Sequence, residues 1–377
     1  MPNKTQYDLT YVTIDSISEG VGSSQIKPLV ARLSNAGLKV NLMSFEKLKP
    51  SSDSINFFDR LGIDWSFESF GANGIFGGGE RLNKIRTGIE ATKLIHARSD
   101  IPAVAAIMSG SAPVLWDVRS LWSDQKVMIQ DNLLNRSLYC AYRQLESFAA
   151  RKSVGMSTLT NAVVPILEQR NKTLPKLRTV VPTAVDLQHF RVISLMPKKI
   201  QALFSGTYND YYDLELSGLF INELRKLILL EVNWARPLES SRKTLGVGED
   251  SVLVANQAEM AQLIPNYSFG ISICKLNAGV SLTAAVPTKI GEFLACGRPV
   301  VVNKGLGDMD EMLAEFNAGV IIDGNTQNLQ EGALKLVDLL ADPETPERCR
   351  GLAEKYFSID IGTRKYLSLY REIGDMF

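Results

Sequence analysis

Short apolar segments alternate with amphipathic helical segments along this chain, and the alternation occurs twice. In the first series, an apolar strand over 9–14 precedes a helix over 25–35 and a strand over 38–45. A second series begins at residue 200, with strands predicted over 201–205, 229–233, 251–254, 269–274, 299–303 and 320–322. Strands joined through helices form parallel sheets with right-handed crossovers. The pattern therefore predicts two Rossmann-like, doubly wound α/β domains facing across a cleft.

The break between the two series predicts the domain boundary. Residues 191–199, ending Met-Pro-Lys-Lys, lack periodicity and are interpreted as a linker between domains at 1–190 and 200–355. A final helix over 356–377 is expected, with packing back onto the first domain left open. Because doubly wound sheets bind ligands beyond the carboxyl ends of their strands, we expect the ligand in the cleft.

The amino-acid composition bears on the kind of binding partner and on the cellular compartment that we expect. Lys and Arg together number 41, as do Asp and Glu, so no charge excess favours nucleic acid. The four cysteines form no CxxC pair, which favours a reducing compartment over a disulfide framework or zinc site. The first residues contain no long apolar run, so no signal peptide is predicted and a cytoplasmic location is expected.

One basic segment leaves a membrane question open. A basic helix is predicted over 80–93, after a glycine-rich segment over 71–79 that is predicted to be a mobile loop. Such a helix suits peripheral contact with anionic lipid at the inner face of the plasma membrane. A solvated charged face is the alternative.

The segment VPTKIGEFLACGRPVVVN, at 286–303, has the most specific pattern in the chain. Thr288 is predicted to cap a short helix, and Gly297 to end it in the left-handed conformation. Inside the helix, Lys289 and Glu292 share one face. Gly291 costs about 1 kcal/mol relative to Ala, which predicts a close approach to the backbone. A cation beside a carboxylate suits a ligand with phosphate and vicinal hydroxyls, and an exposed ion pair is the alternative.

A second candidate segment lies between the first strand and the first helix. Glycines allow close approach, and free amides at a helix start attract anions. The spacing GVGSS is not GxGxxG, so it does not indicate a dinucleotide fingerprint, and a plain turn is the alternative. The candidate residues are Gly20, Gly22, Ser23 and Ser24.

Polar residues also end two predicted strands of the first domain. His96 ends one strand, and Asp117 with Arg119 ends another, so parallel strands direct them to the same edge. The alternatives are a satisfied core histidine and a structural ion pair. Asp308-Met-Asp310 resembles a DxD metal motif, but acidic residues before a helix favour its dipole, so no metal is predicted.

These segments together resemble a known family. PTKIGEFLACGRPVV is similar to the donor-binding segment of the retaining GT-B glycosyltransferases, which use sugar nucleotides. SEGVGSSQIKPLVARLSNAGLKV, IHARSDIPAVAA, WDVRSLWSD and VPTAVDLQHF also match, so the resemblance covers most of the chain at pattern level.

The resemblance implies a role for each candidate residue. Glu292 is expected to accept hydrogen bonds from the donor ribose, while Lys289 and Thr288 face the pyrophosphate. The turn at 20–24 is expected to help stabilise the leaving group, and His96, Asp117 and Arg119 to line the sugar and acceptor side. The implied activity is metal-independent transfer from a UDP-sugar, preferred over GDP, to a glycan or lipid-linked acceptor. The implied ligand is the donor alone, with no separate cofactor.

Two departures from the family pattern leave other functions open. Many relatives carry a second glutamate eight positions before Glu292, where this chain has Ala284. They also often carry an Arg and a Lys in the region that reads SGTYNDYYDLEL here. Phosphate neutralisation then falls on Lys289, with Lys275, Arg236 and Arg119 as further candidates, and the sugar contact on amides near Ser281. The alternatives are a non-catalytic nucleotide-sugar-binding protein and an epimerase or hydrolase.

Overall fold

The computed structural model describes residues 7–72, 74–129, 133–192, 197, 199–237, 242–254 and 256–376. These form two compact units, which are treated separately below. Unit 1 comprises Met1–Val181 with Ile359–Phe377, and unit 2 comprises Pro182–Ser358. The chain thus passes from unit 1 to unit 2 after Val181. The described residues of the predicted linker lie within unit 2; 193–196 and 198 are outside the described residues.

Unit 1 is built on a parallel sheet in the order β3-β2-β1-β4-β5-β6-β7. Its strands are β1 (Tyr7–Val12), β2 (Val40–Glu46), β3 (Asp64–Ser69), β4 (Thr92–Arg98), β5 (Val114–Val118), β6 (Gly155–Thr158) and β7 (Leu177–Val180). The helices between them are α1 (Lys27–Asn35), α2 (Ser52–Arg60), α3 (Gly74–Gly88), α4 (Asp100–Ser109), α5 (Trp122–Ile129), α6 (Leu133–Lys152) and α7 (Val163–Arg170). The inner strand β5 is buried along its whole length, as expected for a parallel sheet covered on both faces.

Unit 2 repeats the arrangement with the strand order β10-β9-β8-β11-β12-β13. Its strands are β8 (Gln201–Ser205), β9 (Glu231–Pro237), β10 (Asp250–Val254), β11 (Phe269–Ser272), β12 (Val300–Asn303) and β13 (Gly319–Ile322). Its helices are α8 (Leu214–Arg225), α9 (Gln257–Leu263), α10 (Val280–Thr283), α11 (Thr288–Ala295), α12 (Met309–Phe316), α13 (Thr326–Ala341) and α14 (Thr345–Leu352). The predicted alternation is confirmed in both units.

The last helix, α15 (Ile359–Gly374), belongs to unit 1 although it follows all of unit 2 in the chain. Its buried face includes Tyr366 and Tyr370, whose rings lie 4.9 and 5.9 Å from the ring of His96 on β4. Gly362 leaves room for Val181, since a Cβ there would lie 3.1 Å from its Cγ1. This helix therefore completes the cover of the first sheet.

The sequence over 123–151 predicts a long helix. The described residues there are helical, in α5 and α6, and 130–132 lie outside the described residues. One prediction for this unit is wrong in detail. The glycine-rich loop expected over 71–79 is partly helical, because α3 begins at Gly74. Arg81 stabilises this early start: its buried guanidinium donates to the carbonyls of Phe70 and Ala72 at 2.7 and 3.0 Å.

The basic segment predicted over 80–93 is also organised differently. Helix α3 ends at Gly88, and Lys93 lies in β4, where it pairs with Asp8 at 2.8 Å. Lys84 forms ion pairs with Glu68 and Glu80 at 3.1 and 3.2 Å. The cations of this segment are thus largely engaged within the protein. Among the described residues, no helix has the length and apolar character needed to cross a membrane.

Candidate functional site

The segment singled out in the sequence forms α11 and β12 of unit 2. Pro287 precedes the helix with a φ of −59°, so Thr288 is its first residue and not the predicted cap. Gly297 has a φ of +74° and ends the helix in the predicted left-handed conformation. The predicted buried strand is confirmed, since Val300 to Val302 are buried.

Gly291 allows the predicted close approach, and side chains of unit 2 make it. A Cβ at this position would lie 2.8 Å from Cγ2 of Val185 and 3.1 Å from Cδ1 of Phe357. The absence of a side chain therefore lets α11 pack tightly. No ligand is needed to explain this glycine.

The strand order of unit 2 brings two strand ends together. β8 lies beside β11, and this is where the strand order changes direction, which is the usual ligand position in an open α/β sheet. Tyr208 and Tyr212 follow the carboxyl end of β8, and Cys274 follows that of β11. An isolated antiparallel bridge between Tyr212 and Cys274 connects the two segments.

Lys289 lies against these aromatic side chains. Its Nζ is 3.8 Å from the ring centroid of Tyr208 and 4.2 Å from that of Tyr212, both cation–π distances. The residue is 9% exposed, and its Nζ has no hydrogen-bond partner within the described parts of the chain. Burial lowers the pKa of Lys289 to about 7, although Cys274 and Glu292 favour the charged form. An amine without a partner in this environment can receive a proton and bind an anion.

Glu292 is buried one turn further along α11. It is 8% exposed, and its Oε1 accepts a hydrogen bond from Nε2 of Gln257 at 3.3 Å. Burial raises the pKa of Glu292, and Gln257 and Lys289 oppose that rise. The exposed ion pair considered for Lys289 and Glu292 is therefore wrong, because both residues are buried.

The short helix α10, just before α11, contains another buried polar group without a hydrogen-bond partner among the described residues. The hydroxyl of Ser281 is buried and has no hydrogen-bond partner within the described ranges, while its carbonyl accepts from the hydroxyl of Tyr211 at 3.0 Å. The amide of Ala278 already donates to the carbonyl of Lys275 at 3.0 Å, so it is not available to a sugar. Ala284 is buried and offers no polar group.

Arg236 is a second cation at the carboxyl edge of this sheet. It is the second-last residue of β9, next to β8, with its guanidinium 5.7 Å from the ring of Trp234. Its Nε is buried without a hydrogen-bond partner in the described ranges, and its Nη1 donates long bonds, of 3.4 and 3.5 Å, to the carbonyls of Arg242 and Lys243. It therefore remains a candidate for phosphate neutralisation.

Sequence reasoning missed the aromatic neighbours of Lys289 and the amide neighbour of Glu292. Tyr208 and Tyr212 lie in the segment SGTYNDYYDLEL, which was noted only because it lacks cations. Its tyrosines, directly after a strand, were the available signal. Gln257 begins α9 after β10 and carried no comparable signal.

The candidates of unit 1 form a different kind of cluster, centred on Asp117. This carboxylate is fully buried and accepts from Nε of Arg119 and from the hydroxyl of Ser157, each at 2.6 Å. The hydroxyl of Tyr366 lies 3.3 Å from it, and Nε2 of His96 3.2 Å. Burial alone would raise the pKa of Asp117, but Arg119 and His96 hold it well below its usual range.

Arg119 and His96 complete this cluster. Arg119 also donates to the carbonyl of Val181 at 3.3 Å and to the hydroxyl of Tyr366. Nδ1 of His96 lies 2.6 Å from the hydroxyl of Tyr370, and burial lowers the pKa of His96. The structure thus brings the three candidates together as a buried network that joins the sheet to α15.

The turn at 20–24 is already helical, in contrast to the predicted start at 25. Gly20 has a φ of +53°, and a π-helical turn spans Gly22–Ile26. A Cβ on Gly22 would lie 1.9 Å from the carbonyl oxygen of Ser16, so this glycine is required by the packing of its own loop.

The serines of this turn are partly engaged. The amide of Ser23 donates to the carbonyl of Glu19 at 3.2 Å, so this amide is not free for an anion. The hydroxyls of Ser23 and Ser24 donate to the carbonyls of Gly20 and Val21 at 3.0 and 3.5 Å.

The Asp308-Met-Asp310 segment begins α12, as predicted. The carboxylate of Asp310 accepts from the amide of Gly305 at 3.1 and 3.2 Å. No group of three or more His, Cys, Asp or Glu residues in the described part of the chain is placed to hold a metal ion.

Comparison with known proteins identifies the fold. No family model matches the sequence, and no curated protein matches it. Solved structures match it over nearly its whole length. A sucrose-phosphate synthase from Thermosynechococcus elongatus matches with a TM-score of 0.74 at 12% identity, covering 98% of this chain and 99% of that one. The chain has the GT-B fold.

Two further structures with this fold are similar in extent. A glycosyltransferase from Rickettsia africae gives a TM-score of 0.69 at 16% identity and covers 98% of this chain and 99% of that one. HepE from Anabaena, solved with UDP, gives 0.67 at 11% identity and covers 97% and 100%. Other HepE structures contain UDP with glucose, or UDP-glucose. The fold implied by the sequence resemblance is therefore confirmed.

Proposed function

We propose that this protein is a glycosyltransferase that moves a sugar from a nucleotide diphosphate sugar to a glycan or lipid-linked acceptor. The observation that carries the proposal is the buried amine of Lys289, which has no hydrogen-bond partner among the described residues, beside the buried carboxyl group of Glu292. They lie at the carboxyl edge of the second sheet, where its strand order reverses. The GT-B neighbours support a transferase, and the UDP and UDP-glucose of HepE support a UDP-sugar.

Lys289 and Glu292 would grip opposite ends of the ribose-diphosphate. Ionised, Glu292 accepts from two adjacent ribose hydroxyls, which replace the water lost on burial. Lys289, with Thr288 at the first position of α11, faces the diphosphate. A hydrogen bond between charged groups contributes about 1.5–3 kcal/mol, and more of it is gained as negative charge grows on the leaving diphosphate.

We propose that the reaction retains anomeric configuration and needs no metal. The bond from the anomeric carbon to the phosphate oxygen breaks while the acceptor oxygen bonds to the same face. The departing phosphate oxygen takes the acceptor proton, so the step is balanced without a further base. Lys289 stabilises the charge that develops on this phosphate, with Arg236 as a second candidate.

The candidates of unit 1 receive a different role in this proposal. Asp117 has its carboxylate saturated by protein donors, and His96 is fully buried. We assign Asp117, Arg119 and His96 as positioning residues of the acceptor-side unit, acting through the sheet and α15. Of the turn at 20–24, only Gly20, Gly22 and Ser24 are retained as candidates to contact an anion through their amides.

Thermal shift with a panel of nucleotide sugars tests the binding part of the proposal. A ligand that binds only the folded state at about 100 times its Kd adds about 2.7 kcal/mol of stability. We expect a UDP-sugar to raise the Tm, and Glu292→Ala to abolish both this shift and sugar transfer. Lys335→Met, at an exposed lysine of unit 2, is the matched control and should retain both. Unchanged turnover and donor affinity in Glu292→Ala would remove the assignment.

One observation favours a second candidate function. Ala284 stands where many relatives carry a carboxylate. Ser281, nearby in the chain, offers a neutral hydroxyl group in place of that charge. A nucleotide-sugar-binding protein without transfer activity would bind the donor and leave it chemically unchanged. Incubation of the donor with and without acceptor, followed by product analysis, separates this function from transfer, epimerisation and hydrolysis.

A further inference from the structure

The aromatic residues around Lys289 form a defined cradle. The rings of Tyr208 and Tyr212 are inclined by 47° with their centroids 4.5 Å apart, and the amine contacts both. Two rings on one lysine amine provide a partial substitute for the water it has lost. They provide no hydrogen-bond acceptor in these contacts, so the amine has no hydrogen-bond partner within the part of the chain that the structure describes.

The cradle is held in place by β11. The hydroxyl of Tyr208 donates to the carbonyl of Ile271 at 2.9 Å. The amide of Asp213 donates to the carbonyl of Ile273 at 3.0 Å, and the backbone of Tyr212 bridges to Cys274. Both rings are therefore fixed by the strand whose end borders the candidate site.

The ionisable groups that face Lys289 come from three elements. The segment after β8 contributes Tyr208 and Tyr212, and burial raises the pKa of both phenols. The end of β11 contributes Cys274, whose thiol has its pKa raised to about 12 by burial. Helix α11 contributes Glu292, whose pKa burial also raises. None of these groups bonds to the amine, and the phenols and thiol are neutral near pH 7.

We propose that Tyr208 and Tyr212 are positioning residues that keep Lys289 ready to accept a proton, so that the donor diphosphate binds together with a proton. This inference rests on the proposed function and adds a regulation of its site by pH. The balance is simple: the neutral amine takes one proton from solvent and becomes an ammonium ion. The two phosphates of the donor supply negative charge beside the amine.

Two opposing effects determine the pKa of the Lys289 amine in the cradle. Burial disfavours the ammonium ion, whereas the electron-rich ring faces favour it, by about 0.5–2 kcal/mol for such contacts. Burial dominates in the free protein, where the pKa of Lys289 is about 7. Two anionic phosphates within a few ångströms raise that pKa again. Donor affinity should therefore fall by about tenfold between pH 6 and pH 8, as linkage to one such proton requires.

The first experiment is a titration of the free, full-length protein by NMR. Lysine labelled with ¹³C at Cε reports protonation, and the resonance missing in Lys289→Met assigns Lys289. We expect it to titrate near pH 7, well below the ordinary value for a lysine side chain. A Lys289 resonance that titrates together with the exposed lysines would overturn the inference.

Substitutions of Tyr212 separate the effect of the aromatic ring on the pKa of Lys289 from the effect of burial. Tyr212→Phe keeps the ring and should leave the midpoint within about 0.3 pH units of the wild type, a small interaction on this scale. Tyr212→Ala admits water and should raise the midpoint by at least about one unit. Tyr212→Leu stays apolar but loses the ring face, so its midpoint should fall. Equal midpoints in all folded variants, judged by circular dichroism, would contradict a role for the ring.

The second experiment is calorimetry with UDP-glucose, whose esterified phosphates keep a fixed charge between pH 6 and 9. Titrations in two buffers with different ionisation enthalpies should show uptake of about half a proton at pH 7. Binding without proton uptake would overturn the coupling and leave the proposed function intact. If neither UDP-glucose nor UDP binds, the proposed function fails and the coupling fails with it, whatever the titration of the free amine shows.

Discussion

The molecule buries charged groups in each of its two units, and the two sets differ in their partners. In unit 1, the carboxylate of Asp117 is surrounded by donors from Arg119, Ser157 and Tyr366. In unit 2, the amine of Lys289 has two aromatic rings and no hydrogen-bond partner in the described ranges. Both sets lie on parallel sheets of the same kind, so the fold alone does not account for the contrast.

The difference separates two uses of a buried charge. A buried charge with a complete set of partners contributes to packing. Removing one partner leaves the remaining charged groups buried without compensation, which destabilises the folded protein. A charge without partners destabilises the folded state by itself, so its retention suggests that a ligand completes the site. By this criterion the Asp117 cluster is the better candidate for a structural role, whereas Lys289 is the better candidate for ligand contact.

The largest expected effect is on the Asp117 cluster. Asp117→Asn leaves Arg119 buried without its charge partner, so the free energy of unfolding should fall by about 3–5 kcal/mol. Urea denaturation at pH 7 measures this change. Asp53→Asn, at an exposed residue of α2, should change it by less than about 0.5 kcal/mol. If both variants are as stable as the wild type, the cluster does not hold α15 on the sheet.

The pH dependence of the same variant sharpens the comparison. The pKa of Asp117 is held below its usual range in the folded protein, so its stabilising contribution is present above about pH 4. That contribution is lost as the pH falls through the folded pKa. Asp117→Asn should therefore lose less stability on acidification than the wild type does.

The next effect has the opposite sign. Lys289→Met removes an unpaired buried amine, so the free energy of unfolding at pH 7 should rise by about 2–4 kcal/mol while donor affinity is lost. Because the folded pKa of about 7 lies below the unfolded value, the wild type gains stability as the pH rises from 7 to 10.5. The advantage of Lys289→Met should therefore be full below pH 7 and shrink above it. A Lys289→Met variant less stable than the wild type would show that the buried amine does not destabilise the folded protein.

The contrast also shows where sequence reasoning succeeds. Buried strands follow from short apolar runs, because burial on both faces of a parallel sheet selects such runs. The strand predicted over 201–205, for example, has the same bounds in the structure. The close approach at Gly291 also follows from one residue. The partners of Lys289 do not, because Tyr208 is 81 positions away and the strand order of unit 2 brings it there.

The same limit applies to the other candidates. His96 and Asp117 were predicted to end their strands, and they lie within β4 and β5, close to the carboxyl ends. Their contacts with Tyr370 and Tyr366 depend on a helix at the far end of the chain. Thr288 was predicted to be a cap from its residue type, whereas the extended ψ of 129° at Pro287 moves the cap one residue earlier. Local chemistry supplied the candidate residues, whereas only the tertiary fold distinguishes a saturated group from an available one.

A smaller effect tests whether Gly291 serves packing or the ligand. Gly291→Ala places a methyl group against Val185 and Phe357, so overpacking outweighs the gain in helix propensity. We expect a net loss of about 1–2 kcal/mol in stability and an unchanged Kd for the donor. Gly79→Ala, in α3 where nothing lies within 4 Å, should instead stabilise the protein slightly. A large loss of donor affinity with no loss of stability would assign Gly291 to the ligand.

The smallest effect concerns Asp310, whose carboxylate has a backbone partner and so belongs with the saturated charges. Asp310→Ala removes the bonds from the amide of Gly305, which are exposed, and should cost about 0.5–1 kcal/mol of stability. Because the proposed reaction neutralises the diphosphate with Lys289, neither this substitution nor treatment with EDTA should change the transfer rate. A transfer rate that falls on chelation and is restored by Mg²⁺ or Mn²⁺ would move Asp310 into the catalytic machinery. It would also show that the unpaired amine of unit 2 is not the principal counter-charge of the leaving group.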